Sequence, residues 1–105
     1  MTDPTAVVPP TYSMSAVEIQ TLALDATNYL ATGQSISNVS VTMTRSSDGK
    51  VATLTDAATV SGNVVTQILR GSDLDAGSVY LLRVQFTASP SIDKWAMDLE
   101  VSVTP

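Results

Sequence analysis

Residues 80–104, YLLRVQFTASPSIDKWAMDLEVSVT, decide the fold class. Apolar residues occupy every second position from Tyr80 to Phe86, and the same alternation runs from Trp95 to Val103. Successive side chains of a β-strand point to opposite faces, so each run predicts a strand with one buried face. Pro90 lies between the two runs and marks the connection, because proline cannot donate to a strand ladder.

The rest of the chain repeats this pattern in shorter pieces. Residues 39–43 alternate valine or methionine with hydroxyl residues, and the runs 17–24, 51–54 and 64–69 are further strand candidates. Asp48-Gly49 and Ser61-Gly62-Asn63 predict tight turns. We therefore predict an all-β protein, an antiparallel immunoglobulin-like β-sandwich of about seven strands. The inward-facing residues are then Val39, Val41, Met43, Tyr80, Leu82, Val84, Phe86, Trp95, Met97, Leu99 and Val101.

The N-terminal residues differ from the rest in their proline content. Pro4 and the pair Pro9-Pro10 favour an extended chain and block a central strand. We predict an extended N-terminal arm over residues 1–16 and a sandwich domain over residues 17–105. The alternative is that the arm folds along its own sandwich as an edge strand. The predicted partner-binding residues of the arm are Val7, Val8, Pro9, Pro10 and Tyr12.

Near the start of the predicted domain, the apolar alternation changes phase. Val17 and Ile19 are two apart, and Leu22 and Leu24 follow with the opposite parity. An extra residue in one strand produces such a change, so the phase slip predicts a bulge or a bend at this point.

The composition argues against several classes of function. The chain has no His and no Cys, the commonest suppliers of catalytic bases and strong nucleophiles, so we expect no enzyme, no cofactor and no metal site. The formal net charge is −5, and no two of the five basic residues are adjacent, so we expect binding neither to nucleic acid nor to a membrane. The first residues carry neither a basic nor an apolar run, so we expect synthesis in a cytoplasm without a secretory signal.

Two pairs of acidic residues have a functional and a structural interpretation. Asp73 and Asp75 lie two apart in a loop, where they either contribute to a calcium site or stabilise a turn through Asx hydrogen bonds. Asp98 and Glu100 lie on one face of the last strand, as an acid–base pair or as solvated charges that discourage edge pairing. The structural interpretation is favoured in both cases, because two carboxylates alone make neither site.

The aromatic residues are expected to pack rather than to bind ligands. Tyr80 and Trp95 are at inward positions of the predicted strands, and Tyr29 is expected to pack a loop onto the sandwich. Tyr80 also follows the turn Asp75-Ala76-Gly77, which resembles the tyrosine corner of immunoglobulin-like domains with one additional residue. The chain lacks the Cys–Trp–Cys core of antibody domains.

Three stretches together resemble a known family. They are LDATNYLATGQSI at 24–36, ATVSGNVVT at 58–66 and YLLRVQF at 80–86. These are similar to the small immunoglobulin-like virion proteins of tailed bacteriophages, which include the fiber–tail adaptor proteins. The resemblance covers about residues 17–104, and the loop 72–75 departs from it by being more acidic.

The resemblance implies a function in a virus particle. It implies a virion structural protein, a tail, neck or fiber–tail adaptor, that is present in many copies and binds other virion subunits. A decoration protein on the phage capsid is the first alternative. A carbohydrate-binding or adhesin module of a bacterial surface is the alternative of another class. The family brings no catalytic residues.

Overall fold

The computed structural model describes residues 11–105, which form two β-sheets packed face to face. The strands are β1 (Thr11–Ser15), β2 (Ile19–Asp25), β3 (Ser35–Arg45), β4 (Thr59–Ser61), β5 (Val64–Arg70), β6 (Val79–Ser89) and β7 (Lys94–Thr104). Between them lie two single-turn 3-10 helices, Thr27–Tyr29 and Gly71–Asp73, and this part of the chain contains no α-helix.

The order of the strands is that of an immunoglobulin-like sandwich. One sheet has the order β1-β7-β6-β3 and the other β2-β5-β4. In the lettering of constant-type domains, β3, β6 and β7 correspond to strands C, F and G, while β2, β5 and β4 correspond to B, E and D. All pairs are antiparallel except β1 with β7, which is parallel. The predicted fold class, an all-β sandwich of about seven strands, is confirmed.

The core lies where the predicted inward faces of β3, β6 and β7 meet the other sheet. Seven of the eleven predicted core residues are buried, namely Met43, Tyr80, Leu82, Val84, Phe86, Met97 and Val101. The other four pack against this core and are half-buried, namely Val39, Val41, Trp95 and Leu99. Trp95 and Leu99 lie in the part of β7 that β1 does not cover.

The irregular strand is β3 rather than β2. In β3 the register shifts between Ser37 and Ser40, and Asn38 has a φ of 51°. The extra residue changes the parity of the strand, so that both Ile36 and Val41 pack against the core. The predicted bulge near Leu22 is wrong, because β2 pairs with β5 over all of its residues without a shift.

The phase slip in front of β2 has another cause. Leu22 is buried and Leu24 packs against the core, while Val17 and Ile19 are 93% and 61% exposed. Ile19 lies on the outer face of its sheet and Val17 in the turn before it. Neither residue faces the core. Their spacing therefore does not follow the alternation of Leu22 and Leu24.

The first strand shortens the predicted arm. Residues 11–15 form β1, in which Met14 is 2% exposed and Tyr12 packs against the same core. For these five residues the structure has the alternative, an edge strand of the chain's own sandwich. The sandwich therefore includes residues 11–15, which were predicted to belong to the arm. Val7, Val8, Pro9 and Pro10 lie outside the described residues.

The chain turns at both predicted positions, but only one of the turns is followed by the predicted return strand. Gly62 and Asn63 join β4 to β5 in a two-residue hairpin, and Gly62 has a φ of 59°. At Asp48-Gly49 the chain also turns, and the Arg45 N–H donates to the Lys50 carbonyl over 2.8 Å. The predicted return strand over residues 51–54 is reduced to one bridge between Thr44 and Val51, because the chain then crosses to the other sheet.

The sandwich has two ends with different loops. The charged end consists of the turn 16–18 and the loops 46–58 and 71–78. The aromatic end consists of the loops 26–34, 62–63 and 90–93. The two names are used below for these sets of loops.

Candidate interaction surface

At the charged end, Arg45 binds two aspartates from different loops. Its Nη2 atom lies 2.6 Å from Oδ2 of Asp48, and its Nη1 atom lies 2.5 Å from Oδ2 of Asp75. The hydrogen bond from Arg45 is the main cause that lowers the pKa of Asp48 to about 2, and the pKa of Arg45 is raised in return. These contacts fix the loops 46–58 and 71–78 to each other.

The segment that crosses between the sheets is held by β5. Arg70 Nε donates to Oδ2 of Asp56 over 2.6 Å, which lowers the pKa of that carboxyl group. Gln67, whose side chain is 1% exposed, donates from Nε2 to the carbonyl oxygens of Asp56 and Ile68. A buried amide needs such partners. Gln67 therefore has a structural role in this crossing.

The candidate calcium ligands bind other protein groups. The Asp73 carboxylate accepts from the N–H and the Oγ1 of Thr55, over 2.9 and 2.8 Å, whereas Asp75 binds Arg45. The two carboxylates thus have separate partners instead of one shared point. Asp73 makes a cross-loop contact instead of the predicted local Asx turn. Within residues 11–105, no three His, Cys, Asp or Glu side chains lie together in a group that could hold a metal ion.

A polar cleft of about 380 Å³ opens at this end, and Tyr80 forms one wall. The charged residues that line the cleft are Arg45, Lys50, Asp73 and Asp75, so both signs of charge are present. The Tyr80 hydroxyl accepts a hydrogen bond of 2.9 Å from the N–H of Asp75. This contact from the start of β6 back to the preceding turn is the geometry of a tyrosine corner. It assigns a structural role to Tyr80, as the sequence predicted.

The two residues of the second acidic pair, Asp98 and Glu100, also have separate surroundings. Asp98 on β7 accepts two hydrogen bonds from Arg83 on β6, of 2.8 and 2.9 Å, at directly paired positions of the sheet. Glu100 is exposed and pairs in register with Leu81 and Thr11. All three arginines of the chain are therefore in ion pairs with aspartates.

At the aromatic end, Tyr29 joins the loop 26–34 to the core. Its ring meets Phe86 edge-on at 6.0 Å and Trp95 at 5.6 Å with a tilt of 60°. The prediction that Tyr29 packs a loop onto the sandwich is confirmed. The exposed apolar residue of this end is Ile92, which is 89% exposed at the tip of the β6–β7 connection.

The features of the surface that sequence reasoning missed are the open strand edges. β2 is the last strand of its sheet, and in the other sheet β1 covers only residues 100–104 of β7. Within the described part of the chain, neither β2 nor residues 94–99 of β7 have a neighbour on the outer side. The sequence contained a sign of this surface in Val17 and Ile19. Their odd-numbered positions do not fit the alternation of the core residues Leu22 and Leu24, so neither side chain faces the core.

Of the predicted partner-binding residues, only Tyr12 lies within the described structure. Tyr12 is half-buried in β1, in register with Val101 of its own domain. Its ring contacts the core, so it anchors β1 whatever else it binds. The partner-binding role of Val7, Val8, Pro9 and Pro10 stays a prediction.

Comparisons with family models, curated proteins and solved structures found no match for this chain. In residues 11–105 there is no helix long and apolar enough to cross a membrane.

Proposed function

We propose that the chain is a structural protein of a bacteriophage virion, a tail, neck or fiber–tail adaptor, that works by binding other virion subunits. The observation that carries the proposal is that β2, an edge strand of one sheet, and residues 94–99 of β7 in the other sheet have no neighbouring strand on their outer side in the described part of the chain. Open edges accept strands from partners, and natural domains usually protect them. The sequence resemblance to phage virion proteins supplies the kind of partner.

The distribution of charge and aromatic side chains supports a binding protein over an enzyme or a sugar-binding module. The three arginines are neutralised by aspartates, so they are not free to act on a substrate. Trp95 and Tyr29 pack on each other, and Tyr80 is buried in its corner. A carbohydrate module typically presents aromatic faces to the sugar, and these three rings are used for packing.

Quantitative mass spectrometry of purified particles tests the proposal, with the phage that encodes this chain as the source. We expect the chain in intact particles at a small fixed ratio to the major capsid protein. A ratio that approaches that of the capsid protein supports the decoration alternative instead. Absence from washed, intact particles contradicts both virion roles.

A deletion variant then tests the arm. The deletion covers residues 1–10 and stops before Thr11, because Thr11 begins β1 and pairs with Glu100. If the arm serves assembly, this variant keeps the melting temperature of the full chain but is lost from particles. A truncated chain that is incorporated as well as the full chain contradicts a binding role for Val7 to Pro10.

A further inference from the structure

The outer faces of the two sheets differ in charge. Side chains at paired positions of neighbouring strands lie on the same face of a sheet. In the sheet of β6 and β7, the outward positions include four charged residues, namely Arg83, Lys94, Asp98 and Glu100. In the sheet β2-β5-β4, the outward positions carry charge only at the two ends of the strands.

We call the second surface the β2-β5-β4 face. Between its ends it consists of aliphatic and hydroxyl side chains, namely Ile19, Thr21, Ala23, Thr59, Ser61, Val64, Thr66 and Ile68. Ile19 is 61% exposed, and Val64 and Ile68 on the central strand β5 are half-buried. A contiguous uncharged face with exposed apolar groups is typical of a protein contact surface.

The two ends of the β2-β5-β4 face carry opposite charges. At one end is Arg70, which pairs in register with Ile19 and binds Asp56 through Nε and Nη2. At the other end is Asp25, whose Oδ1 atom accepts from the N–H and the Oγ1 of Thr27. Within residues 11–105, neither Nη1 of Arg70 nor Oδ2 of Asp25 has a hydrogen-bond partner. Each end therefore keeps a charged atom that a partner can bind.

We infer that the β2-β5-β4 face packs against the same face of a second copy of this chain, with the strands of the two copies antiparallel. A twofold axis that crosses the strands at Leu22 and Gln67 places the Arg70 end of each copy over the Asp25 end of the other. Packed sheets lie about 10 Å apart, within reach of an arginine and an aspartate that face each other. The inference goes beyond the proposed virion role and does not depend on it.

Charge complementarity favours a second copy as the partner. The formal net charge of −5 makes copies repel each other in general. The β2-β5-β4 face avoids this repulsion, because its middle is uncharged and its ends match the opposite ends of the partner. With parallel strands, Arg70 would instead lie near Arg70 of the second copy, and Asp25 near Asp25. The face is therefore complementary to itself in the antiparallel orientation.

The size of the face sets the strength of the contact. Seven residues along β2 and β5 and three strands across give at most roughly 330 Å² of flat surface. A standard interface buries about 800 Å² on each partner. We therefore expect a weak dimer, with a dissociation constant between about 10 μM and 1 mM.

Sedimentation equilibrium of the purified full chain measures this dimer. At concentrations from about 10 μM to 1 mM, the average mass should rise from that of one chain towards that of two. A chain that stays monomeric up to 1 mM overturns the inference. A mass that rises beyond two chains also overturns it, because a twofold contact is closed. Since no particles are used, either result leaves the proposed virion role untouched.

A charge in the middle of the face tests its position. Thr66→Lys lies on the central strand β5, next to the twofold axis, so the two lysines of a dimer would face each other. The matched control is Gln85→Lys, on the interior strand β6 of the other sheet. Thr66→Lys should weaken dimerisation at least about tenfold, and Gln85→Lys should leave it unchanged. A folded Thr66→Lys protein that dimerises normally contradicts the inference and favours pairing of strand edges.

A charge reversal at one end tests the orientation, and it does so even if Thr66→Lys fails to fold. Asp25→Lys at low salt should weaken the dimer about tenfold, because the new lysine would face Arg70 of the second copy. Asp93→Lys changes the net charge equally at an exposed site in another loop and should not weaken it. A dimer that Asp25→Lys leaves unchanged or strengthens contradicts the antiparallel orientation.

Deletion of residues 1–10 tests the remaining occupant of the face. The inferred contact uses residues of β2, β4 and β5 alone, so the shortened chain should dimerise as the full chain does. Loss of the dimer would assign the contact to the N-terminal segment and overturn the inference.

Discussion

The charged end and the aromatic end of this sandwich are closed by different forces. At the charged end, arginines join loops that are distant in sequence, as Arg45 joins Asp48 to Asp75 and Arg70 holds Asp56. At the aromatic end, Tyr29 packs on Phe86 and Trp95, and Asp93 is the single charged residue in the three loops. The ion pairs of the charged end depend on pH and salt, whereas the aromatic packing of the other end does not. The two ends should therefore respond differently to the same perturbation.

The two ends also differ in how much their contacts contribute to the stability of the fold. Ion pairs at exposed positions contribute little stability, so the charged end is defined more by the geometry of its hydrogen bonds than by their strength. Aromatic packing at the other end is part of the core, because Phe86 is 2% exposed. Substitutions that remove packing should have larger effects than substitutions that remove charge.

The largest effect is expected for Phe86→Ala at the aromatic end. Removing a buried aromatic ring leaves a cavity and should reduce the free energy of unfolding by about 3–5 kcal/mol. Urea denaturation measures this loss. Val60→Ala on β4, where the side chain is 44% exposed, is the control and should cost much less. A Phe86→Ala protein of nearly natural stability would show that this end is not packed as described.

The next effect compares a glycine from each end. A Cβ atom on Gly71 would lie 2.4 Å from the carbonyl carbon and oxygen of Ala16, and backbone atoms cannot move aside without cost. We expect Gly71→Ala to reduce stability by about 1–3 kcal/mol, as overpacking does.

The matched change at the aromatic end is Gly33→Ala. No atom lies within 4 Å of the Cβ position at Gly33, and the cost arises from its φ of 85°. The strain of about 1–2 kcal/mol is partly offset by the lower entropy of the unfolded chain. Thermal denaturation of both variants should place Gly71→Ala below Gly33→Ala. The reverse order contradicts the close approach of Gly71 to Ala16.

A smaller effect is expected for Tyr80→Phe at the charged end. The change keeps the buried ring and removes the acceptor for the Asp75 N–H. The loss of one hydrogen bond should reduce the free energy of unfolding by about 1 kcal/mol. Tyr12→Phe is the control, since Tyr12 packs against the core through its ring. Equal effects of the two changes would mean that the corner hydrogen bond adds nothing.

Much of this fold could be predicted because two of its three longest strands, β6 and β7, are regular. The alternation in residues 80–104 has one phase over each strand, so β6, β7 and their inward faces follow from the period of two. Tyr29 could be placed because a large apolar ring in a polar loop has to pack against something.

The rest depends on contacts that sequence spacing does not contain. Tyr12 and Met14 give only two inward positions, too few to separate a short edge strand from an arm. Asn38 changes the parity of β3 with no local signal beyond its tolerance of positive φ. Arg45 and Asp75 are 30 residues apart, and which aspartate pairs with which arginine follows from the tertiary structure alone. The open β2 edge is likewise a property of the whole sheet order.

The smallest effect is the pH dependence of the charged end. The pKa of Asp48 is lowered from 3.8 to about 2 in the folded protein, first by the hydrogen bond from Arg45. The pKa of Asp56 is also lowered, mainly by Arg70. A carboxyl group with a lowered folded pKa stabilises the protein above its unfolded pKa, and this contribution is lost as the pH falls towards the folded pKa. The melting temperature should therefore fall between about pH 4 and pH 2.

Substitutions assign this pH dependence to one end. Asp48→Asn removes a titrating group of the charged end, so the melting temperature should change less over this range than in the natural protein. Asp93→Asn removes an acid that makes no ion pair among residues 11–105, and it should keep the natural slope. Differential scanning calorimetry at several pH values measures both slopes. If Asp93→Asn flattens the profile as much as Asp48→Asn does, the acid sensitivity belongs to the whole chain, and the proposed division between a charged and an aromatic end is wrong.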